Sequence, residues 1–230
     1  MLTSIPTPTI APVSRPFVYD PPSGPLVVLH EDDDILVVAK PSGLLSVPGK
    51  ASEHADCLIA RINLAYPEAT LVHRLDCATS GVMVFARNRA AHRHLGLQFE
   101  RRKLSKSYVA RVWGEIAGEE GTVDKPLRCD WPNRPKQMVD FDQGRPAITH
   151  WRVEEREAGA TRVGLLPETG RSHQLRVHMA DLGHPIIGDA LYADDAAFAA
   201  ATRLQLHAET LTIRHPDGGT SMTFVDPCPF

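Results

Sequence analysis

The stretch LVHRLDCATSGVMVFARN, Leu71 to Asn88, carries a single carboxylate in an unusual place. Asp76 follows Arg74 by two residues at the end of an apolar run and stands directly before a Cys-Ala-Thr-Ser-Gly turn. An acid with a purely structural role usually caps a helix or pairs on a wet face. This one lies between two strand-like segments, in a loop that looks built to hold it.

Upstream, PLVVLHEDDDILVVAKPSGLLSVPG reads as two apolar strands around an acidic turn, then a loop punctuated by Pro and Gly. HADCLIARINLAYP has helical spacing at Leu58, Ile59, Ile62 and Leu64 and stops before Pro67. Downstream, GVMVFARN alternates as a strand, RAAHRHLGLQFERRKL is a helix with Leu95 and Phe99 on its apolar side, and SKSYVARVWGEI is a strand. LRCDWPNRPKQ is expected as a long polar loop, and AITHWRVEER and TRVGLLPE as strands. SHQLRVHMADLG is expected as a helix of about three turns, with Ser172 as its N-cap and Gly183 as its stop. LQLHAETLTIRHP is a further strand. Strands outnumber helices and do not alternate with them regularly. The expected fold class is therefore α+β, a mixed or mostly antiparallel sheet with flanking helices rather than a Rossmann-type array. The sequence has no G-x-G-x-x-G, no P-loop and no internal repeat.

The 230 residues can bury a real core, and 43% hydrophobic with 23% charged residues excludes wholesale disorder. Four cysteines without a C-x-x-C pair argue against a disulfide framework or a thiolate zinc site and suit a reducing cytoplasm. No apolar run approaches the roughly 18 residues needed to cross a bilayer. The first 25 residues hold seven prolines and lack the regions of a signal peptide. They are expected as an extended, partly disordered leader, which leaves residues 26–230 as a single folded unit.

The formal net charge of −3 speaks against a nucleic-acid partner, but distribution matters more than the sum. From Arg87 to Arg111 the chain has eight basic residues (Arg87, Arg89, Arg93, Arg101, Arg102, Lys103, Lys106, Arg111) against one acid, Glu100. A solvated helix face is the plain reading of such a run. Its position just after the Asp76 loop also fits a surface that tracks phosphates.

Three chemistries come into question for these residues. His173 and His178 are five apart, off the spacing of a zinc-binding H-E-x-x-H, and Asp32-Asp33-Asp34 lacks the pattern of a calcium loop, so no metal site is expected. A Ser-His-Asp hydrolase drawn from Ser80, His73 and Asp76 lacks the G-x-S-x-G elbow. A carboxylate working with a basic partner is the third. An adjacent guanidinium keeps such an acid ionised and fixes its orientation. Arg171 and Arg176 in GRSHQLR are both candidates, and spacing does not choose between them. By position alone, Lys40 reads as an exposed turn lysine, Tyr108 as a packed sheet residue, and His173 and His178 as locally bonded helix histidines. Trp131 either contacts a ligand or covers a cleft.

Taken together, these segments resemble the RluA family of pseudouridine synthases. HRLDCATSG (His73 to Gly81) resembles that family's H-R-L-D-x-x-T-S-G motif at every specified position. KPSGLLSVPG, KSYVARVWG, GRSHQLRVH, GHPIIGDALY and LHAETLTIRHP are similar to its other motifs, in order, from about Val27 to Phe224. The resemblance implies the pseudouridine synthase fold with a central RNA-binding cleft, Asp76 as catalytic carboxylate and Arg176 as its ion-pair partner. It further implies that Tyr108 stacks on the target uracil and that Arg74 fills the RNA stack where the uridine leaves. Arg101, Arg102, Lys103 and Lys106 are the expected RNA-binding cations. The short chain and the CDWPNRPKQ loop are most similar to members with dual specificity, which modify an anticodon-loop uridine of tRNA and a uridine of 23S rRNA. Nothing in the sequence demands a dimer, and a monomer is expected. Isomerising uridine breaks C1′–N1 and makes C1′–C5 with no change in mass, so no cofactor or metal is expected. Whether Asp76 acts as nucleophile or base stays open. A non-catalytic RNA-binding factor and a uracil-releasing glycosidase are the competing classes.

Overall fold

The computed structural model describes residues 15–230. In chain order, β1 (Val27–Glu31) and β2 (Ile35–Lys40) form the hairpin expected around the acidic turn. There Asp32 accepts from the backbone N–H of Asp34 and Ile35 at 2.9 and 2.8 Å, the short-range bonding that makes Asp a turn residue. Next come α1 (Leu58–Asn63), the two-residue β3 (Thr70–Leu71) and β4 (Ser80–Ala86), with the Asp76 loop between β3 and β4. α2 (Arg89–Glu100) is capped by Asn88, whose side chain accepts from Ala91 N at 2.9 Å. β5 (Ser105–Trp113), β6 (Glu120–Asp124), β7 (Leu127–Cys129) and β8 (Gln137–Val139) follow, then β9 (Ile148–Glu157) and β10 (Ala160–Pro167). The chain continues through α3 (Gln174–Asp181), α4 (Asp195–Ala199), β11 (Leu206–Arg214) and β12 (Ser221–Val225).

Ten strands join one sheet in the order β1-β2-β4-β11-β5-β10-β9-β6, with β12 on β11 and β3 on β4. Every pair is antiparallel except β4 with β11. The fold is thus the expected α+β class. β2 and β4 read as continuous apolar runs because both faces are covered. Leu36, Val38, Met83 and Phe85 pack towards α1, and Ile35, Val37, Val82 and Val84 towards α2. A second core under α3 is built from Ala110, Val112, Val163, Leu165, Leu175 and Met179.

The parallel crossing positions the site. Gly81 pairs with Ala208, and Ala208 pairs with Tyr108 on its other side, so the end of the Asp76 loop and Tyr108 share one register line. Gly81 has φ +119°, and a β-carbon there would lie 2.2 Å from the Ala208 carbonyl oxygen. Only glycine fits this approach.

Two expectations need correction. LRCDWPNRPKQ is not a plain loop: β7 and β8 pair through Leu127–Val139, Arg128–Met138 and Cys129–Gln137 into a separate ribbon, with Trp131 exposed at its tip under the Arg134 guanidinium. α3 has eight residues, and its N-cap is His173 at φ 53°, not Ser172. The chain turns through the left-handed region at His173, which leaves Ser172 outside the first turn. The leader expected over residues 1–25 falls partly outside the described residues. Its remainder, from Arg15, has no regular secondary structure. Between its prolines, Arg15 bonds Asp195 at 2.7 Å and stacks over Phe198, and Tyr19 donates to the Asp56 carbonyl at 2.6 Å.

Candidate active site

The upstream KPSGLLS segment clamps the Asp76 loop in place through hydrogen bonds to the carbonyls on either side of Asp76. Ser46 Oγ donates to Leu75 O at 2.7 Å, Ser42 Oγ to Ala78 O at 2.7 Å, and Gly43 N to Cys77 O at 2.9 Å. Lys40 adds one more to the loop, from Nζ to Cys77 O at 3.0 Å, and braces its own segment through Leu44 O at 2.6 Å and Pro41 O at 2.9 Å. Lys40 is therefore not the exposed turn lysine that its sequence position implies. It is 1% exposed, its ammonium donors all spent on the backbone, and burial pulls its pKa down to about 7.

The clamped loop presents the Asp76 side chain, 27% exposed, to a cleft of about 1120 Å³. Arg176, reaching across from α3, places Nη1 3.3 Å from Asp76 Oδ2. Of the two candidate arginines this is the one that meets the acid; Arg171 turns its Nε to the Pro146 carbonyl instead. The stronger partner of Arg176 is Asp189, which accepts from Nε and Nη2 at 2.7 Å each and is completely buried. Burial alone would pull the Arg176 pKa down. The bonds to Asp189, with the charges of Asp189 and Asp76, outweigh it and hold the group above its ordinary value. Asp189 also accepts from the N–H groups of Leu191 and Tyr192, so it is itself fixed. It lies within GHPIIGDALY, but its pairing with a residue 13 positions earlier had no signal in spacing.

Tyr108 and Arg74 line the same cleft. Burial raises the Tyr108 phenol pKa, and the Asp76 charge raises it further, so the ring faces the cleft as a neutral surface. Arg74 is exposed. The basic run separates. Arg102 and Lys106 line the cleft, whereas Arg101 and Lys103, past the end of α2, do not. Arg87 is drawn away into ion pairs with Glu31 and Glu68, and Arg111 into one with Glu157. Arg145 and Arg171 also line the cleft; Arg145 had no signal in the sequence, and Arg171 had one only as a candidate partner of Asp76. Burial lowers the Arg171 pKa, and the like charges of Arg145 and Arg102 lower it further, as expected where guanidiniums converge on one volume.

The histidines bond far from their own positions. His173 Nδ1 meets the Tyr192 hydroxyl at 2.7 Å, and its Nε2 lies 3.9 Å from Asp76 Oδ2. His178 bonds Thr149 and the Lys125 carbonyl. His73 Nε2 accepts from Val84 N at 3.1 Å while its ring stacks on Phe99 at 4.5 Å; burial drops its pKa to about 3. Ser80 does not approach Asp76 as a nucleophile would. It is buried against His207 Nδ1 at 2.9 Å and the Arg203 guanidinium.

Comparison with known proteins agrees with this geometry. Residues 34–181 match the family model of RNA pseudouridylate synthase. The dual-specificity RNA pseudouridine synthase RluA of Escherichia coli K12 is 59% identical over 214 residues, 92% of this chain and 98% of that one. The RluA of Vibrio parahaemolyticus is 51% identical over 218 residues, 92% of this chain and 87% of that one. Among solved structures, human RNA pseudouridylate synthase domain containing 1 superposes with a TM-score of 0.77 at 29% identity, covering 92% of this chain and 87% of its own. With the motif-bearing loop, the braced carboxylate and the matching fold all present, the chain belongs to the RNA pseudouridine synthase family.

Proposed function

We propose that this isomerase acts on two RNAs, a tRNA anticodon stem-loop and 23S rRNA, with Asp76 as the reacting carboxylate. The observation that carries the reading is the Asp76 carboxylate on the floor of a basic cleft, held by Arg176 and faced by the Tyr108 ring. The dual range draws on the 59% identity to a relative named for dual specificity.

The chemistry needs the uridine out of its stack, because C1′ and C5 are shielded within a helix. Flipping costs a few kcal/mol and less in a loop than in a duplex. Arg74, exposed at the cleft, supplies a planar cation to fill the vacated space, and Tyr108 supplies a stacking surface. Arg102, Arg145, Arg171 and Lys106 neutralise the backbone phosphates. With the nucleotide seated, Asp76 attacks the sugar or the uracil, or takes a sugar proton. The C1′–N1 bond breaks, the uracil turns, and C1′–C5 forms as any bond to Asp76 is released; C5 then gives up its hydrogen to solvent as a proton while N1 takes one up. A monomer working in the cytoplasm, with residues 26–230 as one catalytic unit, completes the reading.

The test is tritium release from uridine-5-³H-labelled tRNA and 23S rRNA fragments. Release from both supports the dual range, and release from one alone overturns it. Release of free uracil in place of tritiated water would point to a glycosidase. No release from either RNA, by a folded protein that binds both, would overturn the catalytic reading.

A further inference from the structure

The polar chain behind Asp76 has a direction. Gln137 N donates to the Tyr192 hydroxyl oxygen at 2.8 Å, and the same hydroxyl lies 2.7 Å from His173 Nδ1. A phenol that accepts from a backbone N–H has its own proton left to give, and Nδ1 is the acceptor within reach. His173 then carries its proton on Nε2, the nitrogen facing Asp76. Burial lowers the His173 pKa and so favours the neutral imidazole. Its backbone, at φ 53°, is in a region that residues with a β-carbon rarely adopt, and such strain persists where surrounding contacts hold it for a purpose. Here an edge-to-face contact with Tyr192 and the 2.7 Å bond hold it.

A second donor to Asp76 has work to do. Arg176 spends Nε and Nη2 on Asp189, so only Nη1 reaches Asp76, and one donor leaves a carboxylate free to rotate. Both Arg176 Nη1 and His173 Nε2 converge on the same oxygen, Oδ2. We infer that Tyr192 and His173 form a positioning pair for Asp76: Tyr192 sets the His173 tautomer, and the Nε2–H, with Arg176, pins Oδ2 so that Oδ1 is presented to the ribose. The 3.9 Å approach closes to a hydrogen bond when RNA fills the cleft, as catalytic bonds that are long in the free enzyme tighten in the complex. The inference rests on Asp76 being the reacting carboxylate.

Single-turnover tritium release, alongside RNA affinity and melting temperature, tests the pair in Tyr192→Phe, His173→Ala and His173→Gln, with Asp76→Asn as reference. Tyr192→Phe keeps the ring over Arg176 and removes only the hydroxyl. Its rate should fall about tenfold, and that of His173→Ala roughly a hundredfold, with RNA affinity unchanged in both. His173→Gln, whose amide N–H replaces Nε2–H, should recover part of the His173→Ala loss. If Asp76→Asn is inactive while Tyr192→Phe and His173→Ala react at the wild-type rate, the positioning role is overturned and the Asp76 reading stands. Losses that track RNA affinity, with no recovery in His173→Gln, also overturn it. An active Asp76→Asn removes the underlying reading itself.

Discussion

The floor and the rim of the cleft use charge in opposite ways. On the floor, Lys40, Arg176 and Asp189 are almost wholly buried, and each spends its charge on fixed partners: three carbonyls, two carboxylates, and a guanidinium plus two N–H groups. At the rim, Arg74 and Arg102 are exposed. Buried charges without partners are costly, so those on the floor are geometrically determined. Exposed ones gain little from fixed partners and stay available to phosphates. Geometry at the floor should therefore govern turnover and stability, and charge at the rim should govern affinity and its salt dependence.

The sharpest way to break the contrast is at Asp189. Replacing it by Ala strands the Arg176 guanidinium and should destabilise the fold by about 3–5 kcal/mol, read by urea unfolding. A loss below about 1 kcal/mol, the range of a surface ion pair, would put the floor on the same footing as the rim. Next come the lining cations. Arg102→Ala and Arg171→Ala should each weaken RNA binding and flatten the slope of log K against log salt by about 1, with single-turnover rate at saturating RNA unchanged. An unchanged slope would place the RNA elsewhere.

A smaller effect comes from the His73 imidazole stacked on Phe99. Its pKa is lowered from 6.5 to about 3, so the unfolded chain takes the proton first and stability is lost as pH falls from 6.5 towards 3. His73→Gln, which keeps an acceptor for Val84 N, should make that decline shallower in melts across this window. His173 and His178, shifted in the same direction, keep part of it. Equal slopes in the two proteins would show that His73 titrates normally. The smallest effect is reserved for Arg101→Ala and Lys103→Ala, outside the lining, which should change the salt slope less than either lining substitution.

What was legible in the sequence is what depends on local pattern and motif. The β1–β2 turn, the apolar runs of β2 and β4, the helix over Arg89–Glu100 and the Asp76 loop follow from neighbours in the chain. The family resemblance supplied Arg176 where spacing left Arg171 equally open. What escaped depends on partners distant in sequence. Lys40 is buried because the Cys77 carbonyl arrives beneath it, and Asp189 pairs across a turn. Arg145 and Arg171 reach the cleft only once β9, β10 and the start of α3 converge. The run from Arg101 to Lys106 looks uniform as text, yet the end of α2 and the start of β5 turn Lys106 inward and leave Arg101 and Lys103 outside. Ser172 has the chemistry of a cap, but the left-handed turn at His173 takes that position.

The most direct test of the division between floor and rim is Asp76→Asn, assayed for tritium release and for RNA affinity on the same labelled RNA. The substitution removes the carboxylate and leaves every cleft cation in place. The account predicts no detectable release with affinity equal to or above wild type, since one negative charge facing phosphate is gone. Release at a rate near wild type would contradict it, because the chemistry would then belong to another group.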